Sequence, residues 1–269
     1  MKAKRIVSIL LTGSMLLSLL PVSALAATPV FDAPAQTTAK KAAPLVQEAD
    51  ASRSTEEEAA TRSSRDLDAE NGTADSITIQ LNAEGKPESE GDSEHWAYDY
   101  ATSFSLNLRQ GTFTLQPSSE SGAESALQTD LDIRKDAEFN SGTVGRRAYN
   151  EGTISDGTFQ REVYNYGTIS NGTFQWEVTN EGTISGGIFQ RRVYNYEIIS
   201  DGTFQGNVRN YGTISGGTFE EAVGVYASSR TEAKIEGGTF EKDMTLANDD
   251  APITIKDGLF DGEVVTKKC

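Results

Sequence analysis

Residues 150–164 read NEGTISDGTFQREVY, residues 165–179 read NYGTISNGTFQWEVT, and residues 180–194 read NEGTISGGIFQRRVY. Residues 195–209, NYEIISDGTFQGNVR, keep the same frame. A self-similar period of this kind is the signature of a repeat architecture. Aligned at fifteen residues, one column holds Phe139, Ile154, Ile169, Ile184, Ile199 and Ile214. A second holds Val144, Phe159, Phe174, Phe189, Phe204 and Phe219, and a third holds Ala148, Val163, Val178, Val193, Val208 and Val223. A fourth is Asn150, Asn165, Asn180, Asn195 and Asn210.

The apolar columns are five, four and six residues apart, a spacing no single helix face has, since a helix needs steps of three and four. Each apolar residue has polar neighbours, as in Thr153-Ile154-Ser155 and Thr158-Phe159-Gln160. Period-two alternation then turns Ile or Phe inward and Thr, Ser or Gln outward. Asp156-Gly157, Asn171-Gly172, Gly186-Gly187, Asp201-Gly202 and Gly216-Gly217 are turn formers that tolerate positive φ. The expected fold is all-β: a single-stranded parallel β-helix (β-solenoid) of triangular coils of about 15 residues, right-handed by the crossover preference of parallel strands. One coil buries too little to offset its own ordering, so stability must come from stacked neighbours. The Asn column suits a corner where amides stack from coil to coil.

The period breaks after Val223 and resumes at Ile235, Phe240 and Met244, then at Ile255, Phe260 and Val264. Both insertions fall between the third column and the next first column, so loops around Gly224–Lys234 and Thr245–Thr254 are expected to leave one shared corner. Eight coils run from Phe139 to Val264, with one or two degenerate coils upstream. There Ile77-Thr78-Ile79-Gln80-Leu81 and Phe104-Ser105-Leu106-Asn107-Leu108 alternate as strands, and Gly111-Thr112-Phe113 is a first echo of the repeat. The polar ends Ser89–Glu94 and Lys267-Lys268 discourage end-to-end stacking. The division is 1–27, an export signal; 28–75, a disordered acidic segment; 76–136, irregular N-terminal coils or cap; and 137–266, regular solenoid.

The leader reading rests on Lys2, Lys4 and Arg5, the short apolar run Ile6–Leu20, and Ala24-Leu25-Ala26, a small-x-small cleavage pattern. It places the mature chain outside the cell or on its surface. The apolar run is too short for a comfortable span, and no transmembrane segment is expected in the mature chain. From Thr28 to Ala74 the chain is rich in Ala, Thr, Ser, Glu and Pro, a composition that cannot offset chain entropy by burial. Net charge is −16, and 16 acidic against 6 basic residues lie between Thr28 and Tyr100. Nucleic acid and anionic lipid are excluded as partners on charge. The only cysteine, Cys269, closes no internal disulfide and reads as an exposed terminal thiol.

The strings EGTISGGIF, NYGTISNGTF and NYGTISGGTF, over roughly Ala137 to Val264, resemble repeats in secreted or surface proteins of gut-type Gram-positive bacteria. Those are grouped with pectin-lyase-like right-handed β-helices and adhesin-like solenoids. The resemblance implies a right-handed β-helix and an adhesive or polysaccharide-related role. The coils are shorter than those of pectin-lyase-like enzymes, and an LPxTG-type wall-sorting motif is missing.

A β-helix polysaccharide enzyme needs carboxylates converging on one groove. Asp156, Glu162, Glu177 and Asp201 fall on different columns or several coils apart, and Asp257, Asp261 and Glu263 sit among ordinary coil positions. The one histidine, His95, reads as a surface or cap residue. No catalytic residue, metal site or cofactor is expected. The Gly-Gly and Asp-Gly pairs lack the nine-residue period of calcium-binding β-rolls, and turn chemistry accounts for them. The hydroxyl ranks Thr153/Ser155, Thr168/Ser170, Thr183/Ser185 and Thr213/Ser215 follow from strand propensity.

Aromatics do form an array. Tyr149, Tyr164 and Tyr194 recur outward, Tyr166, Tyr196 and Tyr211 recur at the neighbouring corner, and Trp176 stands on the adjoining edge. Exposed aromatics stack on sugar rings or anchor a protein; the competing account is that tyrosine covers the apolar ladder and favours strands. The expected function is a non-enzymatic, secreted or cell-surface scaffold, adhesin-like, for a glycan or a host or envelope protein. The alternatives are a polysaccharide-active β-helix enzyme and a fragment of a longer surface protein.

Overall fold

Thr-Ile, Thr-Phe and Val-x-Asn segments are each long enough for only one or two inward side chains, so each needs an identical segment above and below. The computed structural model provides them. It describes residues 4–5, 9–11, 75–101, 103–119, 126–228, 231–248 and 251–268, and every element among them is a strand. The segment Leu16–Gly72 groups apart from the remainder of the chain. It lies outside the described residues, as do nearly all of the expected leader and acidic segment, and Cys269. The backbones of Lys4–Arg5 and Ile9–Leu11 pair antiparallel with Leu259–Phe260 and Ile253–Ile255.

Each regular coil has three sides. On the Ile side, Thr153–Ile154 lies parallel between Glu138–Phe139 and Thr168–Ile169. On the Phe side, Thr158–Phe159 lies between Thr143–Val144 and Thr173–Phe174. On the Val side, Val163–Asn165 lies between Ala148–Asn150 and Val178–Asn180. This is a parallel β-solenoid of about 8 turns. The fifteen-residue step holds from Thr153 through Thr168 and Thr183 to Thr213, and the two longer coils raise the mean to about 17.

The apolar columns fill the interior, with Ile154, Phe159, Ile169, Phe174, Ile184 and Phe189 fully buried. Their rings do more than fill space. From Phe159 to Phe260 seven phenylalanines form one stack, with successive centroids 4.7–5.0 Å apart and planes within 7° of parallel. The spacing equals the distance between adjacent strands, so the stack follows from the fold's own pitch.

The Asn column ends the Val side and points inward. Asn150, Asn165, Asn180, Asn195 and Asn210 are fully buried. In the first four, Nδ2 donates to the Oδ1 of the next at 2.6–2.7 Å, and the Nδ2 of Asn210 donates to the Gly212 carbonyl. The ladder amides also donate to backbone carbonyls at the turn, as Asn180 does to Gly182 and Ile198. Burial without those partners would be costly. At the corner after the Ile side Gly157 has φ 124°, a left-handed value that glycine adopts without strain, and its N–H donates to Asp156 Oδ1 at 2.7 Å.

Upstream, the echo at Phe113 is a true coil position. Ile77 pairs with Phe113, and Phe113 with Phe139. Ser105–Pro117 and Asp130–Ser141 are single long strands covering the Val and Ile sides without the tight Asn turn. Trp96–Tyr98 lies antiparallel on Leu106–Leu108 and closes the Val side at this end. The turn before it is held by Asp92, whose Oδ1 accepts the N–H groups of Glu94, His95 and Trp96.

Downstream the structure narrows the two expected excursions to the stretches between Ala227 and Ala233 and between Asn248 and Ile253, both at the corner between the Val and Ile sides. Each insertion adds two residues to the Val-side strand and one to the Ile-side strand, as Val223–Ala227 pairs residue for residue with Met244–Asn248, and that with Val264–Lys268. The inward position held by Asn in earlier coils passes to Val225 and Leu246, both buried, and a strand without the amide turn runs on. The first excursion closes in a tight turn bridged by Ser228 and Thr231.

Candidate functional site

Of the seven aromatics picked from the sequence, the six tyrosines fall on two lines and Trp176 stands apart from both. Tyr149, Tyr164 and Tyr194 stand outward on the Val side, half-buried, because the residue between inward Val and inward Asn must face out. Tyr149 and Tyr164 stack at 5.2 Å with planes 9° apart. The register continues Tyr164, Thr179, Tyr194, Arg209, so this ladder has a gap at Thr179. Trp176 belongs to that same coil, at the corner preceding Thr179, and is 39 % exposed.

Tyr166, Tyr196 and Tyr211 form the other line, at the Asn corner. Tyr166 and Tyr196 are exposed, Tyr196 stacks on Tyr211 at 5.0 Å, and Tyr211 stacks on Tyr226 at 5.1 Å. Burial raises the Tyr211 phenol above its ordinary pKa, and neighbouring Tyr196 adds to the rise while Arg209 opposes it. Glu181 stands between Tyr166 and Tyr196, so the second line is also broken.

Residues that the aromatic pattern did not reveal surround the first line. Between Thr143 and Asn210 all six basic side chains, Arg146, Arg147, Arg161, Arg191, Arg192 and Arg209, lie at the corner between the Phe and Val sides or on the Val side next to it. The guanidinium carbons of Arg161 and Arg191 lie 5.7 and 5.8 Å from the Trp176 ring centre, one coil to either side. Those of Arg192 and Arg209 lie 5.8 and 5.7 Å from the Tyr194 ring. Cation–π contacts of this kind hold the charge at the ring without neutralising it. Arg192 also donates to Tyr194 Oη at 3.1 Å and to Glu177 at 3.2 Å, which raises its pKa and keeps it charged. Arg147 pairs with Glu162 at 3.8 Å. Among the described residues Arg146, Arg161 and Arg191 take no ion pair. Gly206, at the position of Arg191 one coil on, leaves a shallow hollow beside Trp176 and Arg191. A Cβ there would lie 2.4 Å from the Arg191 backbone, so the gap is set by backbone contact.

The same corner reverses sign further on, where Glu220, Glu221, Glu241, Asp243, Asp261 and Glu263 surround a single Lys242. The signal was present in the repeat register: five of the six arginines occupy the two positions before the Val column, and Arg209 follows it.

The other groups weighed from sequence are engaged structurally. The Ser185, Ser200 and Ser215 hydroxyls donate to carbonyls of Ile169, Ile184 and Ile199 in the coil before, at 3.2–3.3 Å. His95 sits in the cap turn, with Nδ1 2.7 Å from Asp92 and Nε2 3.6 Å from Asp75. The Asp92 hydrogen bond raises its pKa above the ordinary value. Asp92 feels burial pushing its own pKa up, but the bonds from His95 and Trp96 outweigh this and hold it at about 2. Among the described residues no three His, Cys, Asp or Glu side chains are grouped to hold a metal ion, and no helix is long and apolar enough to cross a membrane.

Comparison with protein-family models, with curated proteins and with solved structures gave no hit for this chain.

Proposed function

We propose that the chain is an exported or surface-associated, non-enzymatic repeat scaffold that presents a ligand-binding face, in the manner of adhesin-like solenoids and the right-handed β-helices its repeats resemble. The observation that carries this reading is the pair of aromatic lines held at the pitch of the coils. A solenoid converts a one-residue preference into a row, and a row suits an extended partner. The amphipathic rings of Tyr and Trp give contact area with little loss of rotamer freedom. A glycan or a surface protein meets these requirements. The N-terminal basic, apolar and small-residue regions support export as the route to such a partner.

A glycan array and a pull-down against surface-protein extracts, using the chain from Asp75 onward alongside full-length protein, test this reading. Binding that falls when Tyr164, Trp176 and Tyr194 are changed together to Ser is the expected result. Absence of binding in both screens removes the reading.

A further inference from the structure

The arginine corner and the N-terminal cap meet. Gln128–Asp130 stacks directly before Gly145–Arg147 at this corner, since Leu127 pairs with Val144 and Leu131 with Ala148. There a pocket of about 320 Å³ opens between Lys86, Tyr98, Ser103, Thr129, Asp130 and Arg146. Tyr98 and Thr129 are each 4 % exposed, and neither the Tyr98 hydroxyl nor Thr129 Oγ1 has a hydrogen-bond partner among the described residues. Buried hydroxyls are normally satisfied, so two unpaired ones lining one polar pocket mark a place that a ligand's polar groups complete.

The chemistry of that ligand follows from the groups in line. Among the described residues Arg146, Arg161 and Arg191 take no ion pair, and their guanidinium forks match carboxylate or sulfate oxygens. Trp176 is flanked by two of them, so it offers its exposed edge rather than a face to the CH-lined side of a sugar ring. Asp130 in the pocket accepts from hydroxyls, which a sugar has and a simple inorganic anion lacks. Arg161 and Arg191 lie two coils apart, roughly 10 Å at a strand spacing of about 4.8 Å, so the acid groups must recur along an extended chain. The acidic coils from Glu220 onward repel that chain and end the strip.

We propose that this corner binds an acidic polysaccharide lengthwise, with Arg146, Arg161 and Arg191 on its acid groups, the exposed edge of Trp176 against the sugar chain, and a terminal acidic sugar in the pocket at Tyr98 and Thr129. The inference rests on the reading of a ligand-presenting aromatic face and names its ligand. Carboxylate and sulfate share the required chemistry.

Titration calorimetry of the full chain with polygalacturonate, heparin, neutral dextran and polyglutamate tests it. Binding to polygalacturonate or heparin, weakened by salt and falling about tenfold in the Arg161→Gln/Arg191→Gln double variant, is expected. Whichever of the two polymers binds identifies the acid group. Tyr98→Phe and Thr129→Val remove only unpaired hydroxyls, so they leave thermal stability unchanged or raised, yet weaken short oligosaccharides several-fold. Acidic-polymer binding indifferent to these changes overturns the inference. So does equal affinity for polyglutamate, which indicates plain polyanion attraction. Neutral-glycan or protein binding that needs the tyrosines but not the arginines also overturns it, while leaving the scaffold reading intact. Salt-sensitive self-association abolished by the arginine changes, with no glycan binding, would assign the corner to a second copy and likewise overturn it.

Discussion

The coils from Thr143 to Asn210 and those from Val223 to Lys268 share one interior and differ at two corners. The phenylalanine stack passes from Phe204 through Phe219 to Phe240 without a change in spacing, 4.7 Å at each step. At the first corner a buried Asn ladder gives way to Val225 and Leu246, and a tight turn gives way to five-residue strands. At the second, a strip of Arg, Trp and Tyr gives way to Glu and Asp. The stacked core therefore sets the fold, and the corners are free to change coil length and surface chemistry independently. Repeat architectures allow this because each coil answers mainly to its neighbours.

The largest expected effect comes from breaking what both regions share. Phe204→Ala removes a ring between two stacked partners in a dry interior, and should cost about 3–5 kcal/mol, read as a fall in denaturation midpoint. A change below 1 kcal/mol would mean that the stack is incidental to stability. Next is the corner they do not share. Asn180→Asp places a carboxylate that cannot donate in a fully buried ladder, where Asn180 now bonds Asn195, Gly182 and Ile198. A loss of about 3 kcal/mol at neutral pH is expected, shrinking as the pH falls and the group protonates. The matching change Val225→Asn in the later coils should also destabilise, since no Asn follows it to extend the ladder. A neutral outcome for both would remove the claim that the two corners are alternative solutions.

The strip itself is a smaller lever on stability. Glu221→Arg places a cation two coils beyond Arg191, across Gly206, and is expected to raise affinity for an acidic polysaccharide several-fold, with the melting temperature within about 2 °C of wild type. The smallest effect belongs to the cap. His95 is raised by Asp92, so its contribution is complete below the ordinary value of 6.5 and is lost as pH rises through the higher folded value. Asp92, held at about 2, contributes above its ordinary value of 3.8 and fails as pH falls through about 2. The cap is therefore tightest between about pH 4 and 6.5. Hydrogen exchange at Glu94–Tyr98 should speed up at pH 9 after correction for intrinsic rate, and the Asp92→Asn variant should abolish the difference.

The repeat made the three sides, their inward columns, the Gly turns and the Asn corner legible, because one inward residue per side recurs with a fixed spacing. Phe139 on the Ile side and Phe113 as an echo were visible for the same reason. The lengthened strands after Val223 were not, since an insertion that continues a strand looks like a loop when its partner is another insertion. The aromatic rows were readable from composition in register, whereas the arginines at Arg161 and Arg191 gain meaning only from their distance to Trp176. The pocket at Tyr98 and Thr129 had no sequence signal, because residues from separate strands of the irregular cap build it.

Trp96 is buried and Trp176 is exposed, so quenching of tryptophan fluorescence by acrylamide reports chiefly on Trp176. The account predicts that a saturating acidic polysaccharide shields the signal, that neutral dextran does not, and that Trp176→Phe removes the response. Unchanged quenching in the presence of a bound acidic polysaccharide would contradict it.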